Sequence, residues 1–167
     1  MQRQSVVKIG VMLICLGFMM CGCSKFLKPE LGAVAKKEAR IPIAEAIPAS
    51  IWQAGELHTS YSFAEKEGMA ILTGNIVFDR SISYSFPVIA RFFFYISYVD
   101  EAGRVLASFD ITPIIPTFGS IPENLPLKAA HPLPPGSKAF VFHYYGEFRS
   151  NPINEGGQWT IHHFPFD

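Results

Sequence analysis

The sequence predicts an all-β protein: an antiparallel β-sandwich of about seven strands, preceded by a signal peptide and a flexible tether. From residue 51 onwards, short runs of β-branched and aromatic residues recur, separated by glycine, proline, asparagine and aspartate. Along several of these runs apolar and polar residues alternate, which is the period of a strand with one buried face. In the same region no long stretch shows the 3.6-residue period of an amphipathic helix.

Residues 1–22 have the layout of a secretory signal peptide. Arg3 and Lys8 form a basic start without acidic residues, and an apolar run of 12 residues, 9–20, follows at once. A membrane span needs about 20 residues, whereas the apolar part of a secretory signal typically has about 7–15. A buried core helix is the alternative, but the basic residues directly before the run favour the signal.

Cys23 ends the segment Met20-Cys-Gly-Cys, which resembles the lipobox of bacterial lipoproteins. In that family the signal is cut before a cysteine whose sulfur then carries a diacylglycerol. The resemblance therefore implies lipidation of Cys23 and attachment to the membrane through the N-terminal lipid. Met20 and Cys21 depart mildly from the leucine and small residue usual at their positions.

The residue after the lipidated cysteine bears on location. An aspartate there commonly retains such lipoproteins at the inner membrane, and this chain has Ser24. The resemblance thus implies a cell-envelope protein that is lipid-anchored at the outer membrane and faces the periplasm.

A metal or redox pair of Cys21 and Cys23 is the alternative to lipidation. The pair lacks the two-residue spacer of a redox motif, and the chain lacks the further cysteines that would complete a zinc site.

Residues 23–50 are predicted to be the lipidated cysteine and a tether, and residues 51–167 the sandwich domain. Three prolines interrupt the tether, at positions 29, 42 and 48, and a short helix fits around residues 31–39. As a flexible coil the tether would span on the order of 30 Å.

Five segments of the domain are strong strand candidates, and three are weaker. The turn at residues 100–103 should join two of the strong ones as a hairpin, with Gly103 where a positive φ is needed. The proline-rich residues 113–126 are expected to be a crossover between sheets. The strong candidates are residues 70–78, 88–99, 104–111, 139–148 and 158–164; the weaker ones are 51–57, 61–63 and 125–130.

About seven short strands bounded by turns is the count of an immunoglobulin-like sandwich. The unit LPLKAAHPLPPGSKAFVFHYY, residues 125–145, resembles the E strand, turn and F strand of a fibronectin type III-like domain. No function follows from that fold alone. The resemblance implies that six side chains point into the core: Leu125, Leu127, Ala129, Phe140, Phe142 and Tyr144.

The same alternation predicts an aromatic outer face. If Phe92 and Phe94 point into the core, then Phe93 and Tyr95 point outwards. A solvated sheet face should be polar, and exposed apolar patches commonly mark contact sites. The alternative is that the N-terminal segment or a long loop covers the face. The predicted interaction face consists of Phe93, Tyr95, His143, Tyr145, His162 and Phe164.

Composition and motifs argue against several functions. With 14 basic and 14 acidic residues and no basic stripe, the chain is not expected to bind nucleic acid. A Gly-x-Ser-x-Gly elbow and a defined pair of carboxylates are both missing, so we expect neither an enzyme nor a cofactor. His143 and His162 could approach each other, but a zinc site needs a third ligand, so no metal site is predicted.

Two functions remain. The first is a non-catalytic protein-interaction module that docks on an envelope protein partner through the aromatic face. The second is binding of a small ligand such as a carbohydrate, with Trp52 and Trp159 near the site. A rigid flat face favours a protein partner, whereas a concave cleft with a polar rim favours a ligand.

Replacing Cys23 with serine tests the predicted anchor. Cys23→Ser should leave unprocessed precursor and abolish membrane attachment, because serine cannot form the thioether. Incorporation of labelled fatty acid and membrane fractionation measure the effect. The matched control is Cys21→Ser, which should still be processed and acylated. Labelled fatty acid entering the Cys23→Ser protein would contradict the lipobox interpretation.

Overall fold

A computed structural model describes residues 28–115, 120–150 and 156–167. The predicted signal peptide and Cys23 lie outside these residues. The described part contains a 3-10 helix at Lys37–Ala39, a six-residue helix α1 at Arg80–Ser85, and nine strands. The strands are β1 (Ile41–Pro42), β2 (Ala46–Ala54), β3 (Leu57–Lys66), β4 (Met69–Phe78), β5 (Val88–Val99), β6 (Val105–Asp110), β7 (Leu125–Pro132), β8 (Ala139–Arg149) and β9 (Gln158–His163).

The strands form two antiparallel sheets that pack face to face. Sheet A has the order β6-β5-β8, and β1 and β9 both pair with β8. Sheet B has the order β2-β3-β4-β7. Strands β3, β4 and β7 opposite β6, β5, β8 and β9 form an immunoglobulin-like sandwich, so the predicted fold class is confirmed.

The two strands beyond the expected seven come from residues before position 55. The predicted strand over residues 51–57 is wrong in its bounds, because a turn divides it: β2 ends at Ala54 and β3 begins at Leu57. Gly55 has φ +53°, a conformation that glycine adopts cheaply. The weak candidate at residues 61–63 is the centre of the ten-residue strand β3.

The folded domain also begins earlier than residue 51. We call residues 32–36 the N-terminal strap and residues 164–167 the C-terminal tail. The strap pairs on one side with the β5–β6 turn, where the Ala35 amide donates to the Gly103 carbonyl at 2.9 Å. On its other side the Asp167 amide donates to the Val34 carbonyl at 3.0 Å.

These pairings replace the helix expected around residues 31–39. A helix would direct the backbone groups of the strap to its own turns, whereas here they bond to other segments. Only Lys37–Ala39 forms a helical turn. Strand β1 then pairs with the start of β8, and the chain crosses to sheet B as β2.

The main core lies between the sheets and is rich in aromatic rings. Phe94 and Phe142 stack with their centroids 5.4 Å apart, and Trp52 of β2 lies 5.3 Å from Phe142. The inward phases predicted for β5, β7 and β8 are confirmed. Fully buried members of this core include Phe63, Leu72, Ile76, Phe94, Ile96, Tyr98, Leu125, Leu127, Phe140 and Phe142.

A second, smaller core covers one end of sheet A on its outer face. Val99 and Val141 of the sheet pack there with Ala35 of the strap and Phe166 of the tail. As a result, residues 139–144 of β8 are all buried, on both faces of the sheet.

Truncating the stacked core rings should be strongly destabilising. Phe94→Ala or Phe142→Ala should cost about 3–5 kcal/mol, because each ring is fully buried and a cavity would remain. Urea unfolding measures the free energy. Ile114→Ala is the control: its side chain is 95 % exposed, and the change should stay within about 0.5 kcal/mol. Equal unfolding of parent and Phe94→Ala would refute the inward phase of β5.

Candidate functional site

The six residues of the predicted interaction face lie together on the outer face of sheet A. Phe93 of β5 is opposite Tyr145 of β8, and Tyr145 is opposite His162 of β9. In the neighbouring row Tyr95 is opposite His143. Phe164 follows directly after the end of β9 and contacts the His143 ring, with centroids 5.9 Å apart.

Exposure across this face is uneven. His143 is buried, with only 1 % of its surface accessible, whereas His162 is exposed. Phe93, Tyr95 and Tyr145 are half-buried. The alternative stated for this face, coverage by the N-terminal segment, is therefore realised at one end. There the strap and the tail form the second core, and the other end is left open.

Aromatic rings surround His143 on several sides. The Tyr95 ring stacks on it at 5.2 Å with an interplanar angle of 12°. Phe166 of the tail contacts it edge-on at 5.2 Å. Burial, and secondarily the charge of the nearby His163, lower the pKa of His143 to about 3. His143 is therefore neutral over the range in which histidines usually titrate.

A buried serine pair completes the surroundings of His143. Ser97 Oγ lies 2.8 Å from His143 Nε2 and 2.7 Å from Ser108 Oγ. A serine beside a histidine is the geometry of an activated nucleophile. Here, however, Ser97 is fully buried and its hydroxyl also bonds to Ser108. The three side chains therefore form a hydrogen-bond chain that satisfies buried polar atoms.

Sequence reasoning did not find this hydrogen-bond chain. The available signal was Ser97, a small polar residue in the outward phase of the run VIARFFFYISYV, whose only charged residue is Arg91. Its partner Ser108 is paired with it in register across β5 and β6.

We call the uncovered part of the face, formed by Phe93, Tyr95, Tyr145 and His162, the aromatic patch. The Phe93 and Tyr95 rings lie 6.5 Å apart, tilted by 25°. The patch has a charged border along β8. The Tyr145 hydroxyl donates to Glu147 Oε1 at 2.7 Å, which raises the pKa of Tyr145.

Two further charges border the patch. Arg91 Nε lies 3.9 Å from Glu147 Oε2, and the Arg91 side chain is 67 % exposed. Asp110 of β6 is paired with Tyr95; burial of that tyrosine, and secondarily the charge of Asp110, raise the pKa of Tyr95. The patch is thus an apolar centre bordered by charged groups of both signs.

Two grooves formed by described residues lie away from the three rings of the aromatic patch, and one of them reaches its edge at His162. One, of about 500 Å³, is lined by residues of β4, α1 and the approach to β7, including Tyr84 and Ile121. The other, of about 340 Å³, lies between the 3-10 helix and β9 and is lined by Lys36, His162 and Phe164 among others. Neither groove is lined by Phe93, Tyr95 or Tyr145.

The two tryptophans do not form a common ligand site. Trp52 packs in the core against Phe94, Phe142 and Tyr144. Trp159 is 45 % exposed and contacts Phe86, with centroids 5.6 Å apart.

Residues 28–115, 120–150 and 156–167 contain neither a group of metal ligands nor a membrane-spanning helix. Across those ranges no three histidine, cysteine, aspartate or glutamate side chains are grouped so that they could hold a metal ion. No helix in the described part of the chain has the length and apolar character needed to cross a membrane.

The buried histidine should make stability depend on pH. The pKa of an unfolded histidine is near 6.5, and that of folded His143 is about 3. Between these two pH values residue 143 binds a proton in the unfolded chain but not in the folded protein. The contribution of His143 is therefore complete above about pH 6.5 and is lost as the pH falls, by at most about 1.4 kcal/mol per pH unit. His143→Gln should flatten the dependence of the unfolding free energy on pH between about pH 6 and 4.

Urea unfolding at several pH values checks this expectation. Ser97→Ala is the control, because it removes a hydrogen bond but keeps the titrating ring: it should cost about 1–3 kcal/mol and retain the slope. His131 and His163 also have pKa values lowered by burial, so a residual slope should remain in His143→Gln. Identical slopes in His143→Gln and the parent would contradict the buried neutral ring.

Comparison with known proteins places the chain in no family. No protein-family model matches it, and neither a curated protein nor a solved structure matches it. The function is therefore inferred from the N-terminal sequence and from the geometry of sheet A.

Proposed function

We propose that this protein is a membrane-anchored envelope lipoprotein whose sandwich acts as a non-catalytic protein-interaction module. It docks on another envelope protein through the aromatic patch. One observation carries the proposal: Phe93, Tyr95 and Tyr145 lie side by side, half exposed, on a sheet face where polar residues are the rule.

The shape and composition of the patch support a protein partner. Aromatic residues and arginine are enriched at protein interfaces, and the fully buried centre of an interface is depleted of charge. The patch has aromatic rings in its centre, with Arg91 and Glu147 at its border. Its side chains stand on paired strands, so little conformational entropy would be lost on binding.

The lipobox at Cys23 supports the anchoring half of the proposal. Two or more acyl chains hold a protein stably at a bilayer, since each buried methylene contributes about 0.8 kcal/mol. Ser24 favours the outer membrane, and the domain would face the periplasm. Partners are thus the membrane, through the N-terminal lipid, and an envelope protein.

Binding of a small ligand, for example a carbohydrate, is the second candidate. The groove of about 340 Å³ favours it, because it combines the Phe164 ring with Lys36 and His162. That volume lies at the lower end of the range for ligand sites, roughly 300–1,000 Å³. Such a ligand would contact the aromatic patch at His162 and not at its three rings.

A double substitution in the aromatic patch tests the interaction. Phe93→Thr with Tyr145→Thr should leave the fold intact, because threonine suits an exposed strand position. The protein should still reach the membrane but lose its partner, with an affinity loss of about 30-fold or more, since truncating central aromatic residues can cost 2 kcal/mol or more. Crosslinking and pull-down from detergent-solubilised envelopes measure the loss.

Tyr95 is left unchanged in this variant because its ring covers the buried His143. The matched control is Ile51→Thr, a 75 % exposed apolar residue on β2 of the other sheet, which should retain the partner. Retention of the partner by the correctly folded double variant would refute the aromatic patch as the docking site. Binding of a soluble sugar that depends on His162 and not on Phe93 would favour the second candidate.

A further inference from the structure

The chain is fixed to the domain only a few residues after the predicted lipidation site. Pro29 is buried, and the Ala33 amide donates to the Glu30 carbonyl at 3.1 Å. Gly32 has φ +84°, and its amide donates to the Val105 carbonyl at 2.9 Å. Residues 30–33 therefore form a tight turn held against the start of β6.

This attachment limits how far the domain can stand from the membrane. Six residue steps separate Cys23 from Pro29, and a fully extended chain covers at most about 3.6 Å per step. An acylated Cys23 would therefore lie within about 20 Å of the buried Pro29. A tether of that length holds the β5–β6 end of the sandwich, where the strap pairs, close to the bilayer.

The side chains at this end suit a lipid surface. Leu31, at the tip of the turn, is 77 % exposed, and Val34 of the strap is 39 % exposed. Lys28, Lys36 and Lys37, which are close to them in sequence, are also exposed. An apolar tip beside basic residues is the chemistry that binds a bilayer interface with anionic head groups.

Not every charged side chain near this turn favours binding to anionic lipid. The Arg40 guanidinium donates to the Ala35 carbonyl from Nε at 3.0 Å and from Nη2 at 2.6 Å, so this side chain fastens the strap. The exposed carboxylates at this end weaken its attraction to anionic lipid; they belong to Glu30, Glu38, Glu101 and Asp167. The exposed apolar side chains are therefore the leading contribution.

We infer that the turn at residues 30–33 is a membrane-docking element of the acylated protein. Leu31 enters the bilayer interface, and Lys28, Lys36 and Lys37 contact lipid head groups. This inference rests on the proposed lipidation of Cys23. It also sets the position of the aromatic patch: Phe93 is six residues from Val99 along β5, which places it about 20 Å further from the docked end.

An environment-sensitive fluorophore on Leu31→Cys tests the docking. The full-length acylated protein is reconstituted in vesicles of phosphatidylethanolamine and phosphatidylglycerol. In the processed, acylated protein the new thiol would be the only one, because Cys15 and Cys21 would leave with the signal and the sulfur of Cys23 would be in the thioether. We expect blue-shifted emission, an intensity rise of at least about twofold, and quenching by brominated lipid acyl chains.

Ile51→Cys carries the matched control fluorophore. It replaces a residue of similar exposure on sheet B, and its emission should stay that of a probe in water. A second probe at Val34→Cys should follow Leu31→Cys and shows whether one label has disturbed the turn.

The outcomes separate this inference from the proposed function. Mass spectrometry of the N-terminal peptide reports acylation independently of docking. Acylated protein in which the Leu31, Val34 and Ile51 probes are equally hydrated would overturn the docking element and leave the anchored module standing. A Cys23 without acyl chains would remove the anchor, and the docking inference with it.

Discussion

The architecture depends on one constraint: the central strands β5 and β8 carry apolar side chains on their outer face as well as their inner face, so part of the outer face must also be covered. Sheet B covers the inner face, where Phe94 and Phe142 stack. The outer face has no second sheet, yet Val99 and Val141 point there and are fully buried. The strap and the tail supply that cover. The aromatic patch is the part of the outer face that they leave open.

Much of the sheet could be predicted from alternation alone. The pairing of Phe93 with Tyr145 follows from the phase of two long neighbouring strands, because antiparallel register fixes which side chains share a row. The burial of His143 could not be predicted in this way. It depends on Phe166 in the tail, and a tail of four residues carries no periodic signal.

The sequence predicts a tether where the strap lies, for a related reason. Its fold is held by backbone hydrogen bonds, such as that from the Ala35 amide to the Gly103 carbonyl, and backbone pairing leaves no pattern in the side chains. Prolines around it suggested a linker, although they are compatible with short paired segments and turns. Gly103 meets a second requirement that only the structure shows: a side chain at this position would collide with the Arg40 guanidinium.

The strap has two structural roles, one in covering the outer face of sheet A and one in positioning the predicted anchor. The strap buries Val99 and Val141 through Ala35, and it also fixes where the predicted anchor leaves the domain. The Arg40 guanidinium donates to the Ala35 carbonyl of the strap and lies against Gly103 of the β5–β6 turn. The strap is therefore held to the sheet at the point where both roles meet. Tyr95 stands at the border, stacked on the covered His143 and beside the open Phe93. A partner on the aromatic patch would therefore contact a surface that packs directly against the core formed by the strap and the tail.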